Sequence, residues 1–396
     1  MDLKPGYKLT EVGVIPEDWD VVLIGTIVTE FRGGAPLKPS DFTKSGIKVL
    51  PKGGVSRTGW LKIDDSDLQY CSTEYAMNHW RNQVDETFTI VVLRDLVPSG
   101  PSIGLMVQIR GRESFVLAQG VYGFKVNQAA VPAYLVQLSN TWWYRKLANS
   151  IMVGSTQVHI TNTALKLAQI PLPPKAEQEA IAEALSDADA LIESLEQLVA
   201  KKRQVKQGAM QALLTGKKRL PGFSGKWEIK QIGDVLSIAH GKSQHAVTDR
   251  NGIYPILATG GQIGTANRFL YDKPSVLIGR KGTIDKPQYM DHPFWTVDTL
   301  FYSVIHYPNN AKFFFYHFCL IDWKLHNEAS GVPSLNARTI ERIEINIPPP
   351  EEQTAIAAIL SDMDAKIAAL ETKLVKARSL KQGMMHKLLT GRIRLL

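Results

Sequence analysis

Cysteine is scarce. The 396 residues hold two, Cys71 and Cys319, one in each half, which excludes a disulfide framework and suits a reducing compartment. Nine histidines are scattered along the chain without a set of Cys and His spacings that would hold a metal, so no metal site is expected. No apolar run is long enough to span a bilayer, and the opening MDLKPGYKLTEVGVIPEDWD is charged and broken by Pro5 and Pro16, unlike a secretory leader. The expectation is a cytoplasmic protein without a membrane partner.

Catalytic signatures are missing as well. Gly241-Lys-Ser243 resembles the end of a phosphate-binding loop, but Leu236 stands where its first glycine belongs. Gly260-Gly261-Gln-Ile-Gly264 has the wrong spacing for a dinucleotide fingerprint, and no Gly-x-Ser-x-Gly elbow occurs. The Pro-Pro runs are not the Asn- or Asp-Pro-Pro-aromatic loop that holds a flipped base for amino-group methylation. The acid pairs Asp64/Asp65 and Asp187/Asp189 suit solvated faces and helix starts better than catalytic dyads. No catalytic residue is therefore assigned, and the chain is expected not to be an enzyme by itself.

What is present is a repeat. The stretch from Ile170, IPLPPKAEQEAIAEALSDADALIESLEQLVAKKRQVKQGAMQALLTG, returns from Ile345 as INIPPPEEQTAIAAILSDMDAKIAALETKLVKARSLKQGMMHKLLTG, without a gap and offset by 175 residues (Gln178 to Gln353). Prolines open each copy and roughly forty Pro-free residues follow, which predicts one long helix of about 60 Å in each. Three rows of period seven run along the first: Ile181, Ala188, Leu195; Ala184, Leu191, Leu198; and Leu185, Ile192, Val199. They predict one broad apolar face. The second keeps two rows, Ile356, Met363, Leu370 and Leu360, Ile367, Leu374, with Lys366 and Lys373 in the third. Pairing the helices buries both stripes, and the seam is assigned to Ile181, Leu185, Ile192, Leu195, Val199, Ile356, Leu360, Ile367, Leu370 and Leu374.

The repeat extends beyond the helices. Trp19 precedes Gly25 and Gly33 by the same intervals at which Trp227 precedes Gly233 and Gly241. The chain is thus two units, each a globular part followed by a helix, and 44% hydrophobic content suffices for more than one core. In the first part, 47–50, 87–94 and 116–126 read as strands and 133–150 as helix. In the second, 254–257, 275–278, 294–297 and 299–305 read as strands and 312–326 as helix. Short strand-like segments at 167–170 and 343–347 lead into the long helices. Trp142-Trp143 and Phe313 to Tyr316 read as helix cores rather than stacking platforms. The net charge of +8 favours a polyanionic partner.

Trp-x5-Gly, a variable part, a Gly-Ser-Thr joint at Gly154, Ile-Pro-Leu-Pro-Pro and a long helix closing in Leu-Leu-Thr-Gly resemble the specificity subunits of type I restriction-modification systems. So do Gly260-Gly261-Gln-Ile-Gly264, Tyr271 to Thr283 and Asp298-Thr-Leu-Phe301 in the second half. The resemblance implies an α+β fold of two mixed α/β target recognition domains, joined by two antiparallel helices in a coiled coil with internal pseudo-twofold repeat. The expected division is 1–153, first recognition domain; 154–216, central repeat; 217–330, second recognition domain; 331–396, C-terminal repeat. It further implies that each domain reads one half of a bipartite, asymmetric duplex DNA site, with the helices setting the spacer and docking two methyltransferase subunits. Restriction and translocase subunits join these, and S-adenosylmethionine, ATP and Mg²⁺ belong to the partners, with none in this chain. The alternative is a helical scaffold whose end domains bind proteins without reading DNA.

A DNA reader needs Arg and Lys for phosphates, and Arg, Lys, Asn, Gln, Ser or Thr for base edges. In the second domain the glycine-bounded loops offer Lys242, Ser243, Gln244, Gln262, Arg280, Lys281 and Thr283. In the first domain the candidates are Lys52, Arg57, Arg81, Asn82, Arg94, Arg110 and Arg112, with Arg94-Asp95 the best counterpart of the Gly279-Arg-Lys-Gly loop. Lys201-Lys-Arg203 and Lys217-Lys-Arg219 could face spacer phosphates, solvent or a partner.

Overall fold

Two helices of 39 residues each, Lys175–Leu213 and Pro350–Leu388, dominate the computed structural model, which describes residues 5–395. Pro350 occupies the first position of its helix, where the absent N–H would have had no partner anyway. Both helices release the chain through a glycine in the left-handed region, Gly216 (φ 70°) and Gly391 (φ 66°), which a side chain would disfavour.

The chain forms two compact units, one made of residues up to Glu196 and from Lys373 on, the other of Gln197–Thr372. Each unit therefore contains a segment of both helices. In the first, Asp189 pairs with Lys381 and Glu196 with Arg378; in the second, Arg203 pairs with Glu371 and Lys206 with Asp364. Ascending one helix means descending the other, so both segments pair antiparallel. The Glu196–Arg378 and Arg203–Glu371 pairs are at the surface and contribute little energy, whereas Asp189–Lys381 is largely covered.

Ile181, Leu185, Val199, Ile356, Leu360, Ile367 and Leu374 are buried, while Ile192, Leu195 and Leu370 are partly covered. The broad three-row face is not realised. Leu191 is 53% exposed and Leu198 38%, because a single partner helix covers an arc only two rows wide.

The first unit has a four-stranded sheet in the order Met106–Gln108, Thr89–Val92, Val121–Val126, Val28–Arg32. Beside it lies a five-stranded sheet, Phe42–Thr43, Gln69–Cys71, Ile47–Leu50, Phe115–Leu117, Gln83–Val84. The second unit has Leu236–His240, Leu300–Ile305, Ser275–Gly279, Gln288–Met290 in one sheet and Gly261–Ala266, Tyr254–Ala258, Trp295–Thr296 in another. A small antiparallel ribbon stands at the root of each long helix: Asp20–Leu23 with Gln169–Leu172, and Glu228–Gln231 with Glu344–Ile347.

Several local expectations change. The stretch 133–150 is two helices, Pro132–Ser139 and Trp142–Ser150, because the Thr141 side chain caps the second by accepting from Tyr144 N. Trp142 is consequently exposed, not core, whereas Phe313, Phe314 and Tyr316 are buried. The stretch 312–326 is helix only over Ala311–Phe318, followed by a 3-10 turn at Trp323–His326. The strand expected over 116–126 breaks into Phe115–Leu117 and Val121–Val126 at a turn where Gly120 has φ 90°. Residues through Leu167 belong to a short helix, Asn162–Leu167, capped by Thr161, so the strand entering the long helix begins at Gln169. Gly261 to Gly264, expected as loop, is the start of a hairpin strand.

Each globular part is fastened to its helix root by the same devices. Buried Gln178 donates to the carbonyls of Pro173 (2.8 Å) and Ala129 (2.9 Å) and accepts from Val131 N (2.8 Å). Its repeat, Gln353, donates to Pro348 O (3.0 Å) and Asn309 Oδ1 (2.9 Å) and accepts from Asn310 N (3.0 Å). One residue earlier, buried Glu177 accepts from Trp19 Nε1 (2.9 Å) and from Arg394 Nε (2.6 Å). Glu352 does the same with Trp227 Nε1 (3.0 Å) and Arg219 Nε (2.7 Å). Arg219 is thereby tied to Glu352, and Arg203 pairs with Glu371 at the surface.

Candidate nucleic-acid interface

In the second unit the loops that leave strands Leu236–His240, Tyr254–Ala258 and Ser275–Gly279 meet. Gly241 lies so close to Val297 that a Cβ would collide with its carbonyl oxygen, and glycine is required there. Lys242 N donates to Thr296 O (2.9 Å), and Trp295 Nε1 donates to Lys242 O (2.9 Å). Arg280 N donates to Thr299 O (2.8 Å), its guanidinium to Asp298 O (3.3 Å), and Gly282 N to Pro333 O (2.9 Å). A Cβ on Gly282 would stand 3.7 Å from Thr259 Oγ1. The backbone thus fixes the loops while Lys242, Ser243, Gln262 and Lys281 stay exposed. Gln244, Arg280 and Thr283 are half-buried, and the Gln262 amide folds back on Gly264 O (3.2 Å).

The first unit repeats this frame with one residue inserted. Strand Val28–Arg32 pairs with Val121–Val126 through a register shift, Val28 facing Val126 and Glu30 facing Lys125, so Thr29 is bulged out. Leu236–His240 pairs with Leu300–Ile305 without interruption. The glycine equivalent to Gly241 is therefore Gly34 and not Gly33, which the Trp-to-Gly spacing had matched. A Cβ on Gly34 would collide with Ala118 O, and Ala35 N donates to Leu117 O (2.8 Å) as Lys242 N does to Thr296 O.

Further bonds align the remaining loops. Leu93 N donates to Gly120 O as Arg280 N does to Thr299 O, and Ile160 N to Leu93 O as Leu335 N to Arg280 O. Arg94 faces His159 as Lys281 faces Ser334. Arg94 consequently stands at the position of Lys281, the counterpart expected from sequence. Ala118 N donates to Leu50 O as Val297 N does to Leu257 O, which puts Lys52 at the position of Thr259 and Asp95 at that of Gly282. Much of the extra length of the first part falls between these points: Lys52 and Val92 are 40 positions apart, Thr259 and Gly279 only 20.

The candidates of the first unit fall mainly into two groups. Lys52 and Arg94 belong to the shared frame, the Arg94 guanidinium donating to Gln157 Oε1 (2.7 Å), and Asn82, from the longer connection of the first unit, joins them by donating Nδ2 to Gly33 O (2.8 Å). Arg81 is adjacent and lies over the Trp80 ring, 5.2 Å from its centroid. Arg57 and Arg110 belong to a second group around Trp60, whose loop hydrogen-bonds Gln108, and Arg112 is exposed two residues beyond Arg110. Arg110 stacks on Trp60 at 4.4 Å and pairs with Glu193 of the first long helix at 3.7 Å. Arg57 faces a cleft of about 800 Å³ with Trp142, Arg145, Lys146, Lys381 and His386.

Sequence reasoning missed an acid inside the frame. Asp95 is 2% exposed, and its carboxylate takes four donors: Lys52 Nζ (2.7 Å), Leu96 N (2.8 Å), Ser102 Oγ (2.6 Å) and Ser102 N (3.2 Å). Burial alone would raise its pKa; the hydrogen bonds from Lys52 and Ser102 outweigh that and hold it at about 2. The only signal was its place beside Arg94, since its partner Lys52 lies 43 residues away. Among the described residues no group of three or more His, Cys, Asp or Glu could hold a metal, and no helix is long and apolar enough to cross a membrane.

Residues 16–205 and 224–377 match the model of the type I restriction modification DNA specificity domain. A Methanocaldococcus jannaschii protein assigned as the MjaX type I restriction enzyme specificity subunit is 26% identical over 98% of this chain and 96% of its own. The MjaVIII specificity subunit of the same organism is 30% identical over 55% of this chain and 50% of its own. In fold, the chain is similar to the crystal structure of a type I restriction-modification S subunit from M. genitalium, with a TM-score of 0.66 at 16% identity, covering 98% and 99% of the two chains.

Proposed function

The chain belongs to the type I restriction-modification DNA specificity family, and we propose that it is the subunit through which such a complex reads duplex DNA. Each globular part reads one half of a bipartite, asymmetric site. The antiparallel helices set the spacer and dock two methyltransferase subunits, which in turn engage restriction and translocase subunits. Methyl transfer from S-adenosylmethionine and the ATP- and Mg²⁺-dependent steps belong to those partners; this chain supplies the address.

The observation that carries this reading is one loop frame built twice and furnished differently. Lys242, Thr259, Lys281 and Gly282 in one unit correspond to Ala35, Lys52, Arg94 and Asp95 in the other. A shared backbone keeps the approach to a duplex alike, while the side chains that meet base edges differ, which is what an asymmetric target requires.

The test is to co-express the chain with a methyltransferase subunit from its own genome and map N6-methyladenine by single-molecule sequencing. A two-part motif with one constant gap is expected. A stable complex that leaves permissive DNA without a motif would overturn the reading in favour of a protein-binding scaffold.

A further inference from the structure

Lys52 and Lys281 stand in the frames of their units in different electrical states. Lys281 is exposed and forms no ion pair among the described residues. Lys52 keeps about a third of its side-chain surface in solvent, yet its ammonium is bound to a carboxylate that is almost wholly covered. In the second unit the position of that carboxylate is a glycine, and the position of Lys52 is a threonine. The ion pair is therefore an addition of the first unit, not a requirement of the fold.

Two consequences follow from elementary electrostatics. A lysine ammonium has three N–H donors, and Asp95 takes one, leaving two for a ligand. The pair as a whole is neutral, so it displaces no condensed counterion when a phosphate comes near. A group that still donates hydrogen bonds but brings no net charge is suited to an acceptor on a base edge and poorly suited to a phosphate. Ser102 and two backbone N–H groups hold Asp95 from its other sides, so the ammonium is presented from a fixed point and does not sweep through the space a free lysine would cover.

We propose that Lys52, positioned by Asp95, is a sequence-determining residue of the first unit that donates to a hydrogen-bond-accepting base edge such as guanine O6/N7, while Lys281 at the other frame acts as a phosphate contact. This rests on the DNA-reading role proposed above and divides the basic residues into readers and anchors. Arg94, next to the pair and bonded to the neutral amide of Gln157, retains its charge and belongs with the anchors.

The experiment uses the full chain in complex with its methyltransferase subunits, with two readouts: the methylation motif and the slope of log affinity against log salt concentration. Lys52→Ala is expected to blur one position of one half-site and leave the slope unchanged. Lys281→Ala is expected to lower the slope by about 0.9 and leave the motif intact. Asp95→Asn frees the ammonium's charge and is expected to steepen the slope by about 0.9 while blurring the same position. Because Lys52→Ala alone leaves a buried carboxylate without its cation, the double variant Lys52→Ala/Asp95→Asn is measured beside it and should reproduce the blurred position with an unchanged slope. A Lys52→Ala slope lower by about 0.9 with the motif intact would make Lys52 a phosphate contact and overturn the proposal. A double variant unchanged in both readouts would reduce the pair to a structural brace. If the unmodified complex shows no motif at all, the DNA-reading role fails instead, and the two failures are told apart.

Discussion

At the scale of single residues, backbone proximity decides more than chemistry does. Gly34 and Gly241 each lie against a carbonyl oxygen where a Cβ would collide, whereas a Cβ on Gly33 would meet only the edge of Tyr122 at 3.3 Å. Gly34→Ala should therefore cost about 2 kcal/mol or more in urea unfolding, and Gly33→Ala less than about 1 kcal/mol. Equal costs would mean that the bulge at Thr29 does not set the frame. The bulge also explains why sequence spacing chose the wrong glycine: an extra residue in one strand leaves no mark in composition, and adjacent glycines offer two answers to a count. Arg94 was legible because it follows a strand as Lys281 does, but the partner of Asp95 was not, because no local pattern links positions 52 and 95. Most of the candidate readers were found as residue types. Their states, paired, stacked or free, appear only in three dimensions.

At the scale of elements, the long helices were the most legible part of the fold. Their prolines, terminal glycines and seven-residue rows are local signals that no tertiary contact overrides. How much of the apolar surface is covered was not legible, since periodicity records where apolar residues fall and not how wide the partner is. Leu185→Ala should destabilise its unit by about 2–5 kcal/mol, as a fully buried leucine does on truncation. Leu191→Ala, on the uncovered row, should stay within about 0.5 kcal/mol. Chemical denaturation of both variants separates the observed two-row seam from a three-row face, which would make the two costs similar. The break between Ser139 and Trp142 shows the opposite balance: one threonine side chain, accepting from the backbone, ends a run whose hydrophobicity alone would continue as helix.

At the scale of the whole molecule, the sequence repeat and the compact unit are not the same segment of chain. Arg219 and Arg394 are equivalent in the repeat, yet each closes its ring of bonds on the glutamate of the other copy, Glu352 and Glu177 respectively. Removing either cation leaves a buried carboxylate without its charge partner. Arg394→Ala should therefore loosen the unit built from residues up to 196 and from 373 on, and Arg219→Ala the unit spanning 197–372. Hydrogen exchange resolved by peptide would show it, and loss of protection in the other unit for each variant would refute the assignment. The two-part organisation was legible because the repeat is long; the exchange of partners was not, because two similar copies do not say which of two equivalent residues, such as Arg219 and Arg394, is the neighbour.

That exchange has a consequence for biosynthesis. Leu388 and Leu389 lie in the same core as Trp19, Ile181 and Leu185, so the core around Trp19 and Ile181 waits for residues synthesised much later before it can close. The 197–372 unit is continuous in sequence and suffers no such delay. At about 5–20 residues per second, roughly 10–40 s separate synthesis of the first unit's main segment from that of its closing residues. During that interval the nascent chain shows an open apolar surface, and the order of maturation runs opposite to the order of translation.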